Sequence, residues 1–248
     1  EGFAFQGERS AYRGGLRGHP SGHLPPTSFV AFLQNHDQIG NRALGERITA
    51  IAAPEAVRAA TAILLLSPAL PLLFMGEEWA APEPFLFFTD LGPDLGPSVA
   101  EGRRREFARF PEFASPDLRA RIPDPQAPAT HARSVLDWTR LGATPHREWL
   151  AFHQSLLEIR ARAIVPLLAG EPVPAAGWKA VGDTALEVWW GFPSGVLRLV
   201  ANVGPTAVSH QGPGPGWGRR LYALALPDRT WTMLPPWSVA VYLAEARR

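Results

Sequence analysis

The sequence predicts an α/β segment followed by an all-β domain. The first prediction rests on an apolar run, a helical pattern and a second apolar run between Phe29 and Met75. The second rests on short runs rich in β-branched and aromatic residues after Gly170, separated by Gly/Pro turns. We therefore expect a boundary near residues 165–175, with domains at residues 1–168 and 169–248.

The α/β segment is assigned element by element. Residues 1–28 are rich in Gly, Arg, His and Pro without a sustained period, so we expect a loop. Phe29–Leu33 is continuously apolar, as is typical of a strand buried on both faces of a parallel sheet. A helix should begin at Pro54 and end before Pro68, and Leu70–Met75 should form a second buried strand. This order is a βαβ unit with a right-handed crossover.

The rest of the chain is less regular before it becomes β-rich. Residues 77–147 are dense in proline and are expected to be loop-like, whereas Trp149–Ile164 has helical spacing and Pro166 should end that helix. The predicted strands of the all-β domain are Ala185–Trp190, Val196–Val203, Arg219–Leu226 and Ser238–Leu243.

Composition excludes several classes of function. A net charge of +1 over 248 residues gives no broad footprint for nucleic acid or an anionic membrane. The short run Arg103–Arg105 is followed by Glu106 and is expected on a solvated or salt-bridged surface. The longest apolar stretch, Ala59–Phe74, is interrupted by prolines and is too short to span a bilayer. The chain has no cysteine, its histidines form no metal-ligand pattern, and its start shows no signal-peptide pattern. We expect a cytoplasmic protein without a metal or cofactor.

The pair His36-Asp37 is the main candidate for chemistry. It follows the first apolar run, and side chains at the carboxyl end of a barrel strand face the active site. The alternative is that Asp37 caps the following helix or forms an Asx turn. Local sequence leaves both interpretations open.

Several ordered motifs share a resemblance. Phe32–Arg42, which reads Phe-Leu-Gln-Asn-His-Asp-Gln-Ile-Gly-Asn-Arg, resembles a signature region of the α-amylase family of glycoside hydrolases. Leu72–Trp79 resembles the end of that family's last barrel strand. Pro84–Asp90, Gly102–Phe107 and Val135–Trp138 resemble the members that release trehalose from maltooligosyl trehalose. The resemblance implies the last βα units of an incomplete (β/α)8 TIM barrel followed by a C-terminal antiparallel β-sandwich.

The resemblance also implies roles for individual residues. The family comprises retaining enzymes in which one Asp attacks the anomeric carbon, one Glu protonates the leaving oxygen and a second Asp grips the sugar hydroxyls. Asp37 matches the gripping Asp, a stabiliser of the transition state, and His36 matches the imidazole that binds the same sugar. The implied substrate is a maltooligosaccharide or maltooligosyl trehalose, with further contacts from Gln38, Arg42, Glu78 and Trp79.

Some of these roles have ordinary alternatives. Arg42 could contact sugar or Asp37, or form an ion pair elsewhere. Glu77 and Glu78 would point to opposite sides of an extended chain, so that one could face the sugar. Sugar stacking and core packing are both open for a set of aromatic residues, namely Trp79, Phe85, Phe87 and Phe88.

The resemblance leaves two catalytic carboxylates unaccounted for. Phe29–Leu33 corresponds to the seventh barrel strand, which about 180 residues of βα units should precede, whereas 28 residues do. We expect the nucleophile and the acid to lie outside this chain, which would be inactive alone and would pair with the missing N-terminal barrel portion. A non-catalytic carbohydrate-binding protein and one half of a split enzyme are the alternatives. Open sheet edges would favour association.

Overall fold

The computed structural model describes residues 5–169, 176–227 and 230–246. The α-helices are α1 His36–Gly40, α2 Ile48–Ile51, α3 Pro54–Leu66, α4 Gly96–Phe107, α5 Pro116–Ala120, α6 Pro128–Ala132 and α7 His146–Ile159. The strands are β1 Gln6–Ser10, β2 Gly15–Gly18, β3 Val30–Ala31, β4 Leu70–Pro71, β5 Ala176–Val181, β6 Ala185–Phe192, β7 Gly195–Asn202, β8 Val208–Ser209, β9 Arg219–Leu224, β10 Met233–Leu234 and β11 Ser238–Glu245. Short 3₁₀ helices are formed by Pro26–Ser28, Glu77–Trp79, Pro111–Phe113, Trp138–Gly142 and Val165–Ala169, and a π-helical turn by Arg160–Ile164.

The chain divides into two compact units. The first unit comprises the described parts of Glu1–Leu33, Pro54–Leu72 and Phe152–Arg248, and the second comprises Gln34–Ala53 and Leu73–Ala151. The predicted domains at residues 1–168 and 169–248 follow a different division, and their boundary lies partly outside the described residues.

An antiparallel sheet of five strands forms most of the first unit. Its order is β5-β6-β7-β11-β9, and β7 pairs with β11 from Asn202 opposite Ser238 to Gly195 opposite Glu245. One face of the sheet packs on the short β8–β10 ladder through a buried cluster of Ala185, Val200, Trp231, Leu234, Ala240 and Tyr242. The predicted antiparallel β domain is confirmed, with β5 as an additional edge strand.

The first unit also contains the predicted strand–helix–strand unit. β3 and β4 are parallel, with Val30 opposite Leu70, and α3 connects them and packs on β11 and β7. Arg160 ties the end of this crossover, since its guanidinium donates to the carbonyl oxygens of Leu65, Ser67 and Ala69 at 3.0, 2.6 and 2.6 Å. Burial lowers the pKa of Arg160.

The expected burial of these two strands is wrong. The exposed fractions are 56% for Val30, 42% for Leu70 and 40% for Leu72. The reason is that β3 and β4 pair only with each other among the described residues, so that neither strand is an interior strand of a larger sheet.

Two segments expected to be loops contain regular structure. β1 and β2 form an antiparallel hairpin within residues 1–28, with Gly14 at a φ of +65° in its turn. Residues 77–147 contain α4, α5 and α6. α4 is not predicted from apolar spacing, because its buried face carries Ala100, Arg103 and Phe107, with a cation at its centre. The helix predicted over Trp149–Ile164 is confirmed as α7 and the π-helical turn that follows.

Small apolar clusters pack within the described part of the second unit. One contains Ala43, Phe107 and Ile122, and another contains Trp79, Ala81 and Leu136. Across the ranges that the structure describes, no helix has the length and apolar character needed to cross a membrane.

Candidate active-site cleft

The segment that carries Asp37 is organised by its neighbour Asn35. The Asn35 side chain accepts a hydrogen bond from the backbone N–H of Gln38 at 2.8 Å and so caps α1. Asn35, and not Asp37, is therefore the residue that caps this helix. Its backbone carbonyl accepts a bond from Asn41 at 3.0 Å at the end of the same turn.

His36 and Asp37 form an exposed pair. The His36 Nε2 atom lies 3.4 Å from Asp37 Oδ1, and the two side chains are 68% and 72% exposed. Both line a cleft of about 220 Å³, hereafter the Asp37 cleft, whose other walls are Gly40, Asn41 and the segment Phe85–Phe88. A carboxylate, an imidazole and aromatic rings thus share one concave surface.

Aromatic packing holds the wall opposite Asp37. The ring centroids of Phe85 and Phe88 lie 5.7 Å apart in an edge-on contact, and Phe74 makes a similar contact with Phe85 at 5.0 Å. The Leu86 backbone N–H donates to the Ser134 hydroxyl at 3.0 Å, which anchors the middle of the wall. Of the predicted aromatic platform, the three phenylalanines line this cleft.

Trp79 and its neighbours lie elsewhere. Trp79 is fully buried, with its ring centroid 5.9 Å from that of Trp138 and 5.3 Å from that of His146. The Trp79 ring is therefore packed in the core, which was the alternative to sugar stacking. Glu77 and Glu78 are in the same 3₁₀ turn rather than in extended chain, and Glu77 is buried while Glu78 is half-buried.

Glu77 and Arg47 form a buried polar cluster beneath this turn. The Glu77 carboxylate accepts a hydrogen bond from the Phe74 backbone N–H at 3.1 Å, and burial raises the pKa of Glu77. Arg47 donates to the carbonyl oxygens of Glu83 and Met75 at 2.6 and 2.8 Å, and burial lowers its pKa. These bonds fix the backbone that leads into the Phe85–Phe88 wall.

Arg42 and Gln38 do not line the Asp37 cleft. The Arg42 guanidinium forms an ion pair with Glu46 at 3.2 Å, as the ordinary alternative supposed, and its side chain lines a second cleft of about 500 Å³. Gln38 is exposed on α1 and does not line the Asp37 cleft.

Arg103 is buried, contrary to the surface position expected for the run Arg103–Arg105. It is 7% exposed, and its guanidinium donates to the carbonyl oxygens of Gly40 and Arg42 at 2.7 and 2.8 Å. The guanidinium carbon also lies 4.6 Å from the centroid of the Phe87 ring, and burial lowers the pKa of Arg103. Its spacing from Ala100 and Phe107 along α4 is the signal that could have identified it.

The Asp37 cleft has the chemistry of a sugar site. Its carboxylate can accept hydrogen bonds from hydroxyl groups, its imidazole can donate one, and its phenylalanine rings suit the apolar face of a pyranose. Among the described residues that line it, no second carboxylate is present.

Most of the chain is similar in sequence to known proteins. Residues 175–241 match the family described as a domain of unknown function, DUF3459. The malto-oligosyltrehalose trehalohydrolase of Arthrobacter ramosus is 40% identical over 215 residues, covering 85% of this chain and 35% of the relative. The enzyme of the same name from Rhizobium sp. strain M-11 is 34% identical, covering 97% of this chain and 39% of the relative.

Solved structures show the same similarity. A Salmonella typhimurium protein described as a candidate α-amylase is 41% identical with a TM-score of 0.88, covering 98% of this chain and 40% of that one. An isomaltulose synthase mutant of Erwinia rhapontici NX5, solved with D-glucose, shares the fold alone, at 13% identity and a TM-score of 0.51 over 88% of this chain and 43% of that one. The resemblance found in the motifs is confirmed, and the chain spans 35–43% of the length of these relatives.

Proposed function

We propose that this chain, which is similar to malto-oligosyltrehalose trehalohydrolases over 35–39% of their length, forms one wall of the active site of a retaining glycoside hydrolase. The reaction is cleavage of the α-1,4-glucosidic bond next to the trehalose end of maltooligosyl trehalose, which releases trehalose. The observation that carries this proposal is the exposed Asp37 carboxylate in a cleft walled by aromatic rings.

Asp37 is assigned to gripping the sugar and stabilising the transition state. A carboxylate that accepts bonds from ring hydroxyls binds more strongly as positive charge develops at the anomeric carbon. His36, 3.4 Å from Asp37, is within reach of the same sugar and donates to one of its hydroxyls. The exposure of both side chains supports these roles, since neither is needed to satisfy the protein interior.

Two further substrate contacts are proposed from the sequence motifs. Gln38 is exposed one residue after Asp37, and we assign it to a hydroxyl at the rim. Glu78, half-buried in the Glu77–Trp79 turn, is proposed as the other contact. Phe85 and Phe88 supply the stacking faces, whereas the buried Trp79 supports the turn from behind.

The nucleophilic Asp and the acidic Glu are assigned to another part of the barrel. Retaining hydrolysis needs two carboxyl groups about 5–5.5 Å apart, and the lining of the Asp37 cleft within the described residues offers one carboxylate. The exposed apolar side chains of Val30, Leu70 and Leu72 support packing against further barrel strands. A non-catalytic carbohydrate-binding protein is the second candidate, favoured by the same single carboxylate.

A binding measurement tests the proposal. Maltotriosyl trehalose is titrated by calorimetry into the purified chain, Asp37→Asn and the control Asp90→Asn, which changes an exposed carboxylate outside the cleft. Loss of charge-assisted hydrogen bonds should raise the Kd of Asp37→Asn by about tenfold or more, with no change for the control. Equal Kd values for Asp37→Asn and the unmodified chain would refute the role of Asp37.

A further inference from the structure

The second cleft, hereafter the outer cleft, is larger than the Asp37 cleft. Its volume is about 500 Å³. One side is formed by the segment from Asn41 to Glu46 after α1, and the other by the end of α4, the turn at Phe113 and α5.

Aromatic rings form the floor of the outer cleft. The Phe107 ring is buried, with its centroid 5.8 Å from that of Phe110 and 5.7 Å from that of Phe113. Phe110 is 41% exposed, and this exposed ring is available to a ligand. An exposed aromatic face in a concave surface suits the apolar face of a pyranose ring.

Polar groups of balanced charge form the rim. Arg42 and Glu46 are ion-paired at 3.2 Å, and the remaining charged lining residues are Glu112 and Arg121. Asn41 adds an amide. Two cations and two carboxylates give no net attraction for an anion or a cation, whereas they offer both donors and acceptors to hydroxyl groups. The lining therefore favours a neutral, polyhydroxylated ligand.

The two sides of the outer cleft are held in place. Arg103 on α4 donates to the carbonyl oxygens of Gly40 and Arg42, which joins the floor to the opposite side. Arg119 donates to the carbonyl oxygens of Phe113 and Ala114 at 3.1 and 2.7 Å, which fixes the turn. A site whose walls are already fixed loses less conformational entropy when it binds a ligand.

The outer cleft adjoins the Asp37 cleft, because Asn41 lines both. We propose that the outer cleft binds glucosyl units of the same α-glucan chain, beyond the unit that Asp37 holds. This inference rests on the proposed function and adds a prediction about chain length: a longer oligosaccharide gains affinity from Phe110 and the polar rim, and a disaccharide held by Asp37 does not.

The test compares a short and a long ligand. Maltose and maltoheptaose are titrated by calorimetry into the unmodified chain, Phe110→Ala, Arg121→Ala, Asp37→Asn and the control Tyr12→Ala, which removes an aromatic ring that is 96% exposed in the β1–β2 turn. Phe110→Ala should lower the affinity for maltoheptaose by roughly tenfold and leave the affinity for maltose unchanged. Arg121→Ala, which removes an exposed rim residue, should show the same selectivity to a smaller degree, and Tyr12→Ala should bind both ligands normally.

The outcomes separate the two proposals. One outcome is that Phe110→Ala and Arg121→Ala both bind maltoheptaose with unchanged affinity, while Asp37→Asn binds both ligands more weakly. This outcome would overturn the proposal for the outer cleft and leave the proposed function standing. Another outcome is that Phe110→Ala binds maltoheptaose more weakly, while Asp37→Asn binds both ligands normally. This outcome would support the outer cleft as a glycan site and overturn the role of Asp37. Equal loss of maltose and maltoheptaose in Phe110→Ala would contradict the assignment to distal units.

Discussion

Gly45 and Phe85 approach so closely that a Cβ atom on Gly45 would lie 2.5 Å from the Phe85 carbonyl oxygen. The Phe85 backbone N–H donates to the Gly45 carbonyl oxygen at 2.9 Å, and Gly45 has a φ of +63°. This contact holds the start of the Phe85–Phe88 wall against the segment that follows Asp37. The shape of the Asp37 cleft therefore depends on a residue that lies outside its lining.

Gly45→Ala should lower the stability of the fold. The left-handed backbone costs an alanine about 1–2 kcal/mol, and the clash with Phe85 adds to it, so we expect the free energy of unfolding in urea to fall by about 2 kcal/mol or more. Gly102→Ala on α4 is the matched control, since its Cβ would meet nothing within 4 Å. That control should be neutral or stabilising by up to about 1 kcal/mol. Equal stabilities of the two variants would contradict the role given to Gly45.

Arg103→Met should destabilise the second unit. The change leaves the carbonyl oxygens of Gly40 and Arg42 without their donor, and loss of hydrogen bonds from a buried charged group costs about 2–3 kcal/mol. Arg105→Met removes an exposed arginine of the same helix and should shift stability by less than about 0.5 kcal/mol. Urea denaturation checks both, and an Arg103→Met protein as stable as Arg105→Met would disprove the tie between α4 and α1.

Glu77→Gln should change the dependence of stability on pH. Burial raises the folded-state pKa of Glu77 above its ordinary value of 4.5. Between those two values the folded state binds more protons than the unfolded state, so the contribution of Glu77 to stability is full below pH 4.5 and decreases as pH rises to the folded pKa. Glutamine can still accept the bond from Phe74 and does not ionise.

The measurement is the difference in free energy of unfolding between Glu77→Gln and the unmodified chain, followed upward from pH 4.5. We expect the difference to grow in favour of the variant. Glu101→Gln, which changes an exposed glutamate on α4, provides the comparison. A difference for Glu77→Gln that is constant with pH, or that falls as pH rises, would contradict the burial of an ionisable carboxyl there.

The chain alone should release no trehalose from maltotriosyl trehalose. Retaining hydrolysis requires a nucleophile and an acid in addition to Asp37, and the described lining of the Asp37 cleft provides neither. Chromatography of the sugars after prolonged incubation checks this prediction. Release above the uncatalysed rate that Asp37→Ala abolishes would mean that a complete catalytic set forms within this chain.

Sequence patterns predicted the elements whose apolar spacing is regular. α3, bounded by prolines, and the long strands β6, β7 and β11 follow directly from their periodicity. α4 could not be predicted in that way, because Arg103 replaces an apolar residue on its buried face. The turn of the β1–β2 hairpin depends on the backbone freedom of Gly14. The high glycine content of residues 1–28 does not show which glycine forms a turn.

The candidate site was predicted less completely than the fold. The motif around His36-Asp37 identified one wall, and the three phenylalanines facing it were among the aromatic residues considered. The motif that contains Trp79 resembles a strand end and predicts a substrate contact, whereas burial of the Trp79 ring depends on long-range packing with Leu136. The outer cleft joins Arg42 to Phe110 across distant parts of the sequence, which no local pattern encodes.

The most direct test of the central claim maps where a glycan binds. Amide signals of the ¹⁵N-labelled chain are followed by NMR during titration with maltotriose. The account predicts shifts concentrated in His36–Asn41 and Phe85–Phe88, the two walls of the Asp37 cleft, and their loss in Asp37→Asn. Shifts confined to the β5–β11 sheet, or no shifts at saturating sugar, would contradict it.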